Sequence, residues 1–462
     1  MAIILFIIGI CVLFIYRNDW KKCLYLLLFM VPYFGYIQLH ISNFTALAPL
    51  IHDITVILPL YLLFILNKMR TKNVQFSLPG YFNNFLLFFV FVIIIFTISP
   101  FYEIPILARL VGAKVWLFYL LFIFIGFEFI ENELELKKFC NFFAIVAIIP
   151  CVIGILQYLG SFYIDHRETM TFFYGGNARL ASITTQGFGQ FDWGAGIKII
   201  RLPSTFSYAT QFSTFTLCAF IPALASVGFS KTPKEKYFYL MIIVLIIIGS
   251  FSSGIRATSL YFLLFFIFLM VLQTRFYNVI ILSVAMVIIL SLVNWESFPI
   301  LRNIVMGVVE PSMHSIETYI FVGQAKYGEL FSNYFWGAGV GSATPEARFV
   351  LPGGKEDVQL IHEGYYQKAI KELGIIGLPL VAAFLIIIVY EIFFSIKFLT
   401  NKKVYLFCSG VLAFYLISMI FVLKGASLFT KYPSNFLLYF FLGIVIKTRF
   451  LNLDDKKQYN KY

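Results

Sequence analysis

The chain has 462 residues, of which 60% are apolar, 56 are phenylalanine and only 13% are charged, against about 25% charged in soluble domains. That composition excludes an ordinary soluble globular protein. The net charge of +12 does not point to nucleic acid, because many of the Lys and Arg residues fall in short knots between apolar runs, where they set topology.

Runs long enough to cross a hydrocarbon core, which takes roughly 20 residues, recur along the whole chain. Inside lipid only a helix satisfies its own backbone groups over such a run, so the expected fold is all-α, a polytopic transmembrane bundle of about 12–14 spans. The runs lie near 2–16, 23–39, 47–66, 82–100, 105–130, 139–162, 205–229, 238–252, 257–273, 278–294, 373–397, 404–423 and 434–447. The first is expected to be a retained span, since no cleavage site follows it.

Alternate connections are basic: Arg17 with Lys21 and Lys22, Lys68 with Arg70 and Lys72, Lys137 with Lys138, Lys231 with Lys234 and Lys236, Arg275, Lys402 with Lys403, and the tail from Lys447. The positive-inside rule assigns these to the cytoplasm and turns the opposite connections, and the short N-terminus, outward. The chain divides into N-terminal helices (1–162), a first long outer loop (163–204), central helices (205–294), a large, partly helical outer loop (295–372), C-terminal helices (373–447) and a cytoplasmic tail (448–462). Glycines punctuate both loops, at Gly175-Gly176, Gly187, Gly189, Gly194 and Gly196 in the first. The second carries Gly337, Gly339, Gly341 and the Leu351-Pro-Gly-Gly354 turn. Within it Ser312–Leu330 and Glu356–Leu373 read as helices, the latter with His362, Tyr366, Ala369 and Leu373 on one face.

Outward cations are the most informative polar residues. Arg109 and Lys114 stand at the mouth of the fifth span, Arg201 just before the seventh, and Arg256 in the very short turn Ser252-Ser-Gly-Ile-Arg-Ala-Thr-Ser259. Arg256 has two readings: a snorkelling side chain reaching headgroups, or a ligand for an anion. A guanidinium presents paired donors to phosphate oxygens, so if these cations converge they suit a lipid-linked diphosphate at the outer leaflet. His362-Glu363 supplies acid/base candidates that titrate in a useful range, or alternatively a polar helix entry without chemistry. His166 and His314 lack a comparable setting. His52 and Asp53 lie near the outer end of the third span, where an aspartate marks function or merely the interface. Gly337-Ala-Gly-Val-Gly341 lacks the spacing of a nucleotide-binding loop and reads as a tight turn. The six cysteines (Cys11, Cys23, Cys140, Cys151, Cys218 and Cys408) have no ligand spacing, so neither a disulfide framework nor a metal site is expected.

The order of four motifs resembles the O-antigen polymerase and O-antigen ligase family of bacterial membrane glycosyltransferases. They are Arg201-Leu-Pro-Ser-Thr-Phe, Ser252-Ser-Gly-Ile-Arg-Ala, Phe335-Trp-Gly-Ala-Gly-Val-Gly341, and His362-Glu-Gly-Tyr-Tyr with Glu372-Leu-Gly-Ile-Ile-Gly377. The resemblance covers roughly residues 200–380. It implies metal-independent, inverting glycosyl transfer without a cofactor, at the periplasmic face of the inner membrane, from undecaprenyl-diphosphate-linked glycans. It also implies Arg201 and Arg256 on the diphosphate and His362 at the position of the ligase branch's histidine base; the residues themselves add Arg109 and Lys114 as further diphosphate candidates and Glu363 as an alternative base. The separation of the Arg256 and His362 motifs is long for a ligase, and His362-Glu-Gly-Tyr-Tyr looks more like the polymerase branch. The expected activity is therefore repeat-unit polymerisation from one lipid-linked glycan to another, with a chain-length regulator protein as a possible partner. A ligase passing finished glycan to lipid A-core or protein is the alternative. A flippase or transporter is the alternative of another class, although charge is scarce near span centres.

Overall fold

The computed structural model describes residues 2–41, 50–71, 78–99, 104–175, 190–192, 198–273, 328, 330–344, 347, 365–399, 401–422, 429 and 432–459. The protein is a helical bundle and a multi-pass membrane protein: seven described helices are long and apolar enough to cross a bilayer unaided. The described part of every predicted run is mainly helix, with the run at 205–229 helical from Ala209; 278–294 and positions 47–49, 100 and 423 lie outside the described residues.

In chain order the elements are α1 (Ala2–Ile15), α2 (Trp20–Met30), α3 (Phe34–Ile41), α4 (Leu58–Arg70), α5 (Gly80–Ile98), α6 (Ile106–Leu117), α7 (Leu121–Phe129), α8 (Glu133–Val146), α9 (Ile148–Tyr163) and α10 (His166–Tyr174). Then follow β1 (Gln190–Asp192), β2 (Lys198–Ile200), α11 (Ala209–Phe229), α12 (Pro233–Ser252), α13 (Arg256–Gln273), α14 (Tyr365–Leu373), α15 (Gly377–Lys397), α16 (Lys402–Val422) and α17 (Ser434–Tyr459). Several apolar runs are broken rather than continuous. Pro32, which has no backbone N–H, sits in a 3-10 turn between α2 and α3. A π-turn at Asp53–Ile57 leads into α4, with Pro59 in the first turn of that helix. The antiparallel ribbon β1–β2, in register Gln190 to Ile200, is the one departure from helix among the described elements. It delivers the chain directly to Arg201.

Association of helices in lipid depends on close packing, because lipid is as apolar as the side chains. The centre is built from α11 and α17, whose apolar windows are 83% and 78% buried, and from interlocked rings: Phe139 meets Phe129, Phe143, Phe407, Phe440 and Phe441 at centroid distances of 5.4–6.4 Å. Between α7 and α17 the backbones touch: a Cβ at Gly126 would strike the Phe440 carbonyl, and one at Gly443 the Ile123 carbonyl. Apolar side chains such as Phe88, Phe91, Met241 and Ile386 face outward, as lipid contact requires.

The basic connections gather at one end. Lys21, in the first turn of α2, binds Glu131 in the α7–α8 connection at 2.7 Å and Glu135 in the first turn of α8 at 3.1 Å. Lys68 binds Glu128 at 2.6 Å, Arg70 donates to the Arg17 carbonyl at 3.3 Å, and Asn401 donates to Glu133 at 2.6 Å. The turns carrying Arg201, Arg256 and Arg109 belong to the opposite end, since α11, α12, α13, α5 and α6 start or finish there.

The α7–α17 contact predicts that Gly126→Leu or Gly443→Leu destabilises the protein by about 1–3 kcal/mol or more, read as a lower melting temperature in detergent. Gly80→Ala, where an added Cβ meets nothing within 4 Å, should leave the melt unchanged.

Candidate functional site

The loop after β2 is shaped by burial of nearly every residue in Arg201-Leu-Pro-Ser-Thr-Phe. Leu202, Ser204, Thr205 and Phe206 are buried, and Arg201 stands half-buried at the edge. Ser204 has φ of +55°, a left-handed conformation that costs a non-glycine residue about 1–3 kcal/mol. Three hydrogen bonds hold it. Its N–H donates to Gln157 Oε1 at 2.9 Å, its carbonyl accepts from Gln157 Nε2 at 3.0 Å, and its hydroxyl donates to the Pro150 carbonyl at 2.5 Å. Beyond it, the Tyr36 N–H donates to the Thr205 carbonyl at 2.8 Å and Ser207 Oγ donates to Gln38 at 2.8 Å, which fastens α3 to the loop.

The turn Ser252–Ile255 is built by hydroxyls. Ser252 Oγ donates to the Gly249 carbonyl at 2.7 Å, Ser253 Oγ to the Ser250 carbonyl at 2.6 Å, and the Ile255 N–H returns to Ser253 Oγ at 3.3 Å. Helix α13 then opens at Arg256. The two motifs meet directly: the Leu202 N–H donates to the Ser253 carbonyl at 3.2 Å. Thr258 and Ser213 hydroxyls, 2.6 Å apart, reinforce the seam. The backbones bearing Arg201 and Arg256, distant in sequence, are therefore neighbours.

Helix α6 organises the other side of this end. Arg109 donates to the carbonyls of Ile104 at 2.9 Å, Ser99 at 2.6 Å and Thr97 at 3.3 Å, and so caps the last turn of α5. Lys114 forms an ion pair with Asp53 Oδ2. The other oxygen, Oδ1, accepts from the Tyr119 hydroxyl at 3.1 Å and lies 3.3 Å from His52 Nε2. The His52 ring is buried and packs on Tyr432 at 4.1 Å and Phe34 at 5.7 Å. Arg109 and Lys114 are thus each committed to a different protein partner.

Two turns beyond Arg109, Trp116 donates its indole N–H to Glu372 Oε2 at 2.6 Å. Glu372 Oε1 accepts from the Ala343 N–H at 3.1 Å and from Thr344 Oγ1 at 2.8 Å. This fully buried carboxylate ties α6, α14 and the glycine turn together. Gly341 makes the approach possible: its φ is +98°, and any Cβ would meet the Ala108 carbonyl. The glycine triplet is a packing turn against α6 and α14, in keeping with its failure to match a nucleotide loop.

The buried face of α14 carries Tyr365, Lys368, Ala369, Glu372 and Leu373. Ala369 and Leu373 are on the predicted face, but Lys368 and Glu372 were not expected to be buried. His362, Glu363 and His314 lie outside the described residues; the first described residue after His362-Glu363, Tyr365, is buried against Trp116 at 5.3 Å and Phe429 at 5.5 Å. His166 lies 3.2 Å from Ser161 Oγ, within the α9–α10 corner. Sequence reasoning gave no role to Gln157, Trp116, Tyr119, Lys368 or Glu372. Only Glu372 had a signal, as a member of the Glu372-Leu-Gly motif. No family model and no curated protein matches the chain.

The Asp53–Lys114 pair supplies a test of this geometry. Asp53→Asn leaves the Lys114 ammonium short of its counter-charge and should cost about 3 kcal/mol, while Asp53→Asn with Lys114→Met should recover most of it. Melting temperatures of the two single variants and the double variant measure the coupling; additive losses would contradict the pairing.

Proposed function

We propose that the protein is a membrane glycosyltransferase that polymerises repeat units carried on a polyprenyl diphosphate, working at the periplasmic face of a bacterial inner membrane. The observation that carries the reading is the Leu202 to Ser253 hydrogen bond at 3.2 Å. It joins the Arg201 and Arg256 motifs at the end of the bundle opposite the basic connections.

The chemistry asks for three things. Breaking the bond between the anomeric carbon and the phosphate oxygen leaves growing negative charge on the diphosphate, which fixed cations stabilise. Arg201 and Arg256 take that role, each able to present paired donors to phosphate oxygens. An acceptor hydroxyl at the non-reducing end of the second glycan must lose its proton as its oxygen attacks the anomeric carbon, with inversion; His362 or Glu363 receives the proton. The reacting groups must also be held in line, for which a rigid platform is worth more than an adaptable one. The strained, triply bonded Ser204 and the hydroxyl-built turn before Arg256 supply such a platform under both arginines.

Arg109 and Lys114 serve the same site at one remove, by fixing α5 and the Asp53 segment to α6. The donor and acceptor both enter as lipid-linked glycans, so the partners are membrane-borne, and a separate protein that sets chain length fits this arrangement.

Purified protein incubated with a lipid-linked repeat unit should give a ladder of lengths. A single transfer that requires a different acceptor would instead identify a ligase, and translocation without new bonds a transporter. Arg256→Ala should abolish the ladder, a loss of at least about 100-fold in rate if the guanidinium's charge stabilisation is removed, with the protein still accumulating in the membrane. Wild-type lengths in that variant would remove the diphosphate role.

A further inference from the structure

Lys368 is 2% exposed, and its ammonium has no hydrogen-bond partner among the described residues. Its one polarised contact there is the face of Trp116, 5.0 Å from Nζ to the ring centroid. A buried ammonium without an anion is among the most costly arrangements a protein holds, and a cation–π contact offsets only part of that cost. The nearest carboxylate along the helix, Glu372, has both oxygens occupied by Trp116, Ala343 and Thr344. Trp116 in turn has spent its N–H on Glu372, so only its ring face is presented to Lys368. Among the described residues no acceptor takes the donors of the ammonium.

Depth narrows the identity of the missing anion. Helix α15 alone, with 21 residues, is about 31 Å long, enough to cross the hydrocarbon core. The chain breaks before it at Gly374, whose φ is +64°, and Gly377 packs against the Ala369 carbonyl. The bend at Gly374 sets α14 at the end of α15 opposite the basic connections, and a bilayer spanned by α15 would have its headgroups at about that level. The anions available at that level are phosphate oxyanions on lipids.

We propose that Lys368, backed by Trp116, is a binding site for a lipid phosphate at this interface. Two lipid classes present that phosphate with a net negative charge, a polyprenyl diphosphate and an anionic phospholipid, whereas zwitterionic phosphatidylcholine pairs its own phosphate with an ammonium. Assignment to the former rests on the transferase reading above; the site itself does not.

The test uses the full-length protein in phosphatidylcholine nanodiscs, titrated separately with undecaprenyl diphosphate and with phosphatidylglycerol, and compares wild type with Lys368→Met and Lys368→Arg. Lys368→Met should weaken binding of one of these lipids by about tenfold or more, the loss of a charge-assisted hydrogen bond, and Lys368→Arg should retain most of it. The lipid-free Lys368→Met protein should melt no lower than wild type, because it loses an uncompensated charge. Weakened undecaprenyl diphosphate binding places the lipid-linked substrate at Lys368. Weakened phosphatidylglycerol binding alone keeps the phosphate site but makes it a membrane anchor, with no bearing on transfer. Unchanged binding of both lipids, or a lower melting temperature in the lipid-free variant without a binding loss, overturns the proposal.

Discussion

A carboxylate withdrawn from water must be met by donors from the protein itself, and in this bundle that requirement runs through Glu372. Its two oxygens take donors from α6 and from the glycine turn while its own helix is α14. Three segments, one of them 256 residues distant in the chain from Glu372, are held at one point, and none can move without leaving a buried charge unsatisfied. The same helix, α6, also caps α5 through Arg109 and neutralises Asp53 through Lys114. Twelve residues thereby fix the positions of four neighbours at the end where the arginine motifs lie.

The two halves of that end are linked by aromatic packing and by α3. Phe34 touches both His52 and Tyr432, and two residues later Tyr36 holds the Thr205 carbonyl. A single short helix thus connects the Asp53 cluster to the loop that bears Arg201. The left-handed Ser204 belongs to this arrangement. A strained residue persists only where its surroundings over-determine it, and here Gln157 grips both its N–H and its carbonyl.

How much of this was legible in the sequence follows from what sequence spacing encodes. Apolar run length depends only on local composition, so the helices and the grouping of basic connections at one end could be read directly. The interruptions at Pro32 and Pro59 blur hydropathy without erasing it. Contacts between helices are another matter, because nothing in the spacing of Lys114 and Asp53, or of Trp116 and Glu372, states that they face each other. Lys114 accordingly looked like an anion ligand at a span mouth, when its charge is directed to an aspartate. The adjacency of the Arg201 and Arg256 motifs was equally invisible in their sequence separation. His362 and Glu363 lie outside the described residues, so their part in the site rests on the motif alone.

The two ends of the bundle differ in how they are held, and the difference bears on where chemistry belongs. At the basic end Lys21 reaches Glu131, whose side chain is 67% exposed; such pairs exchange readily with water and contribute about 0–1 kcal/mol each. At the opposite end Asp53, Glu372, Gln157 and Ser204 are all buried, and their interactions lie in a medium of low dielectric where an unmade bond is not replaced by solvent. Group transfer between two lipid-borne glycans demands that a leaving anion and an attacking hydroxyl be held to within a fraction of an ångström or so. Water-exchanging ion pairs cannot enforce that tolerance, but a buried, hydrogen-bonded scaffold can. The buried groups at the end that bears the arginine motifs bond segments far apart in the chain to one another, and such bracing is what the proposed transferase needs if charge is to be presented in a fixed geometry to a substrate arriving from the membrane.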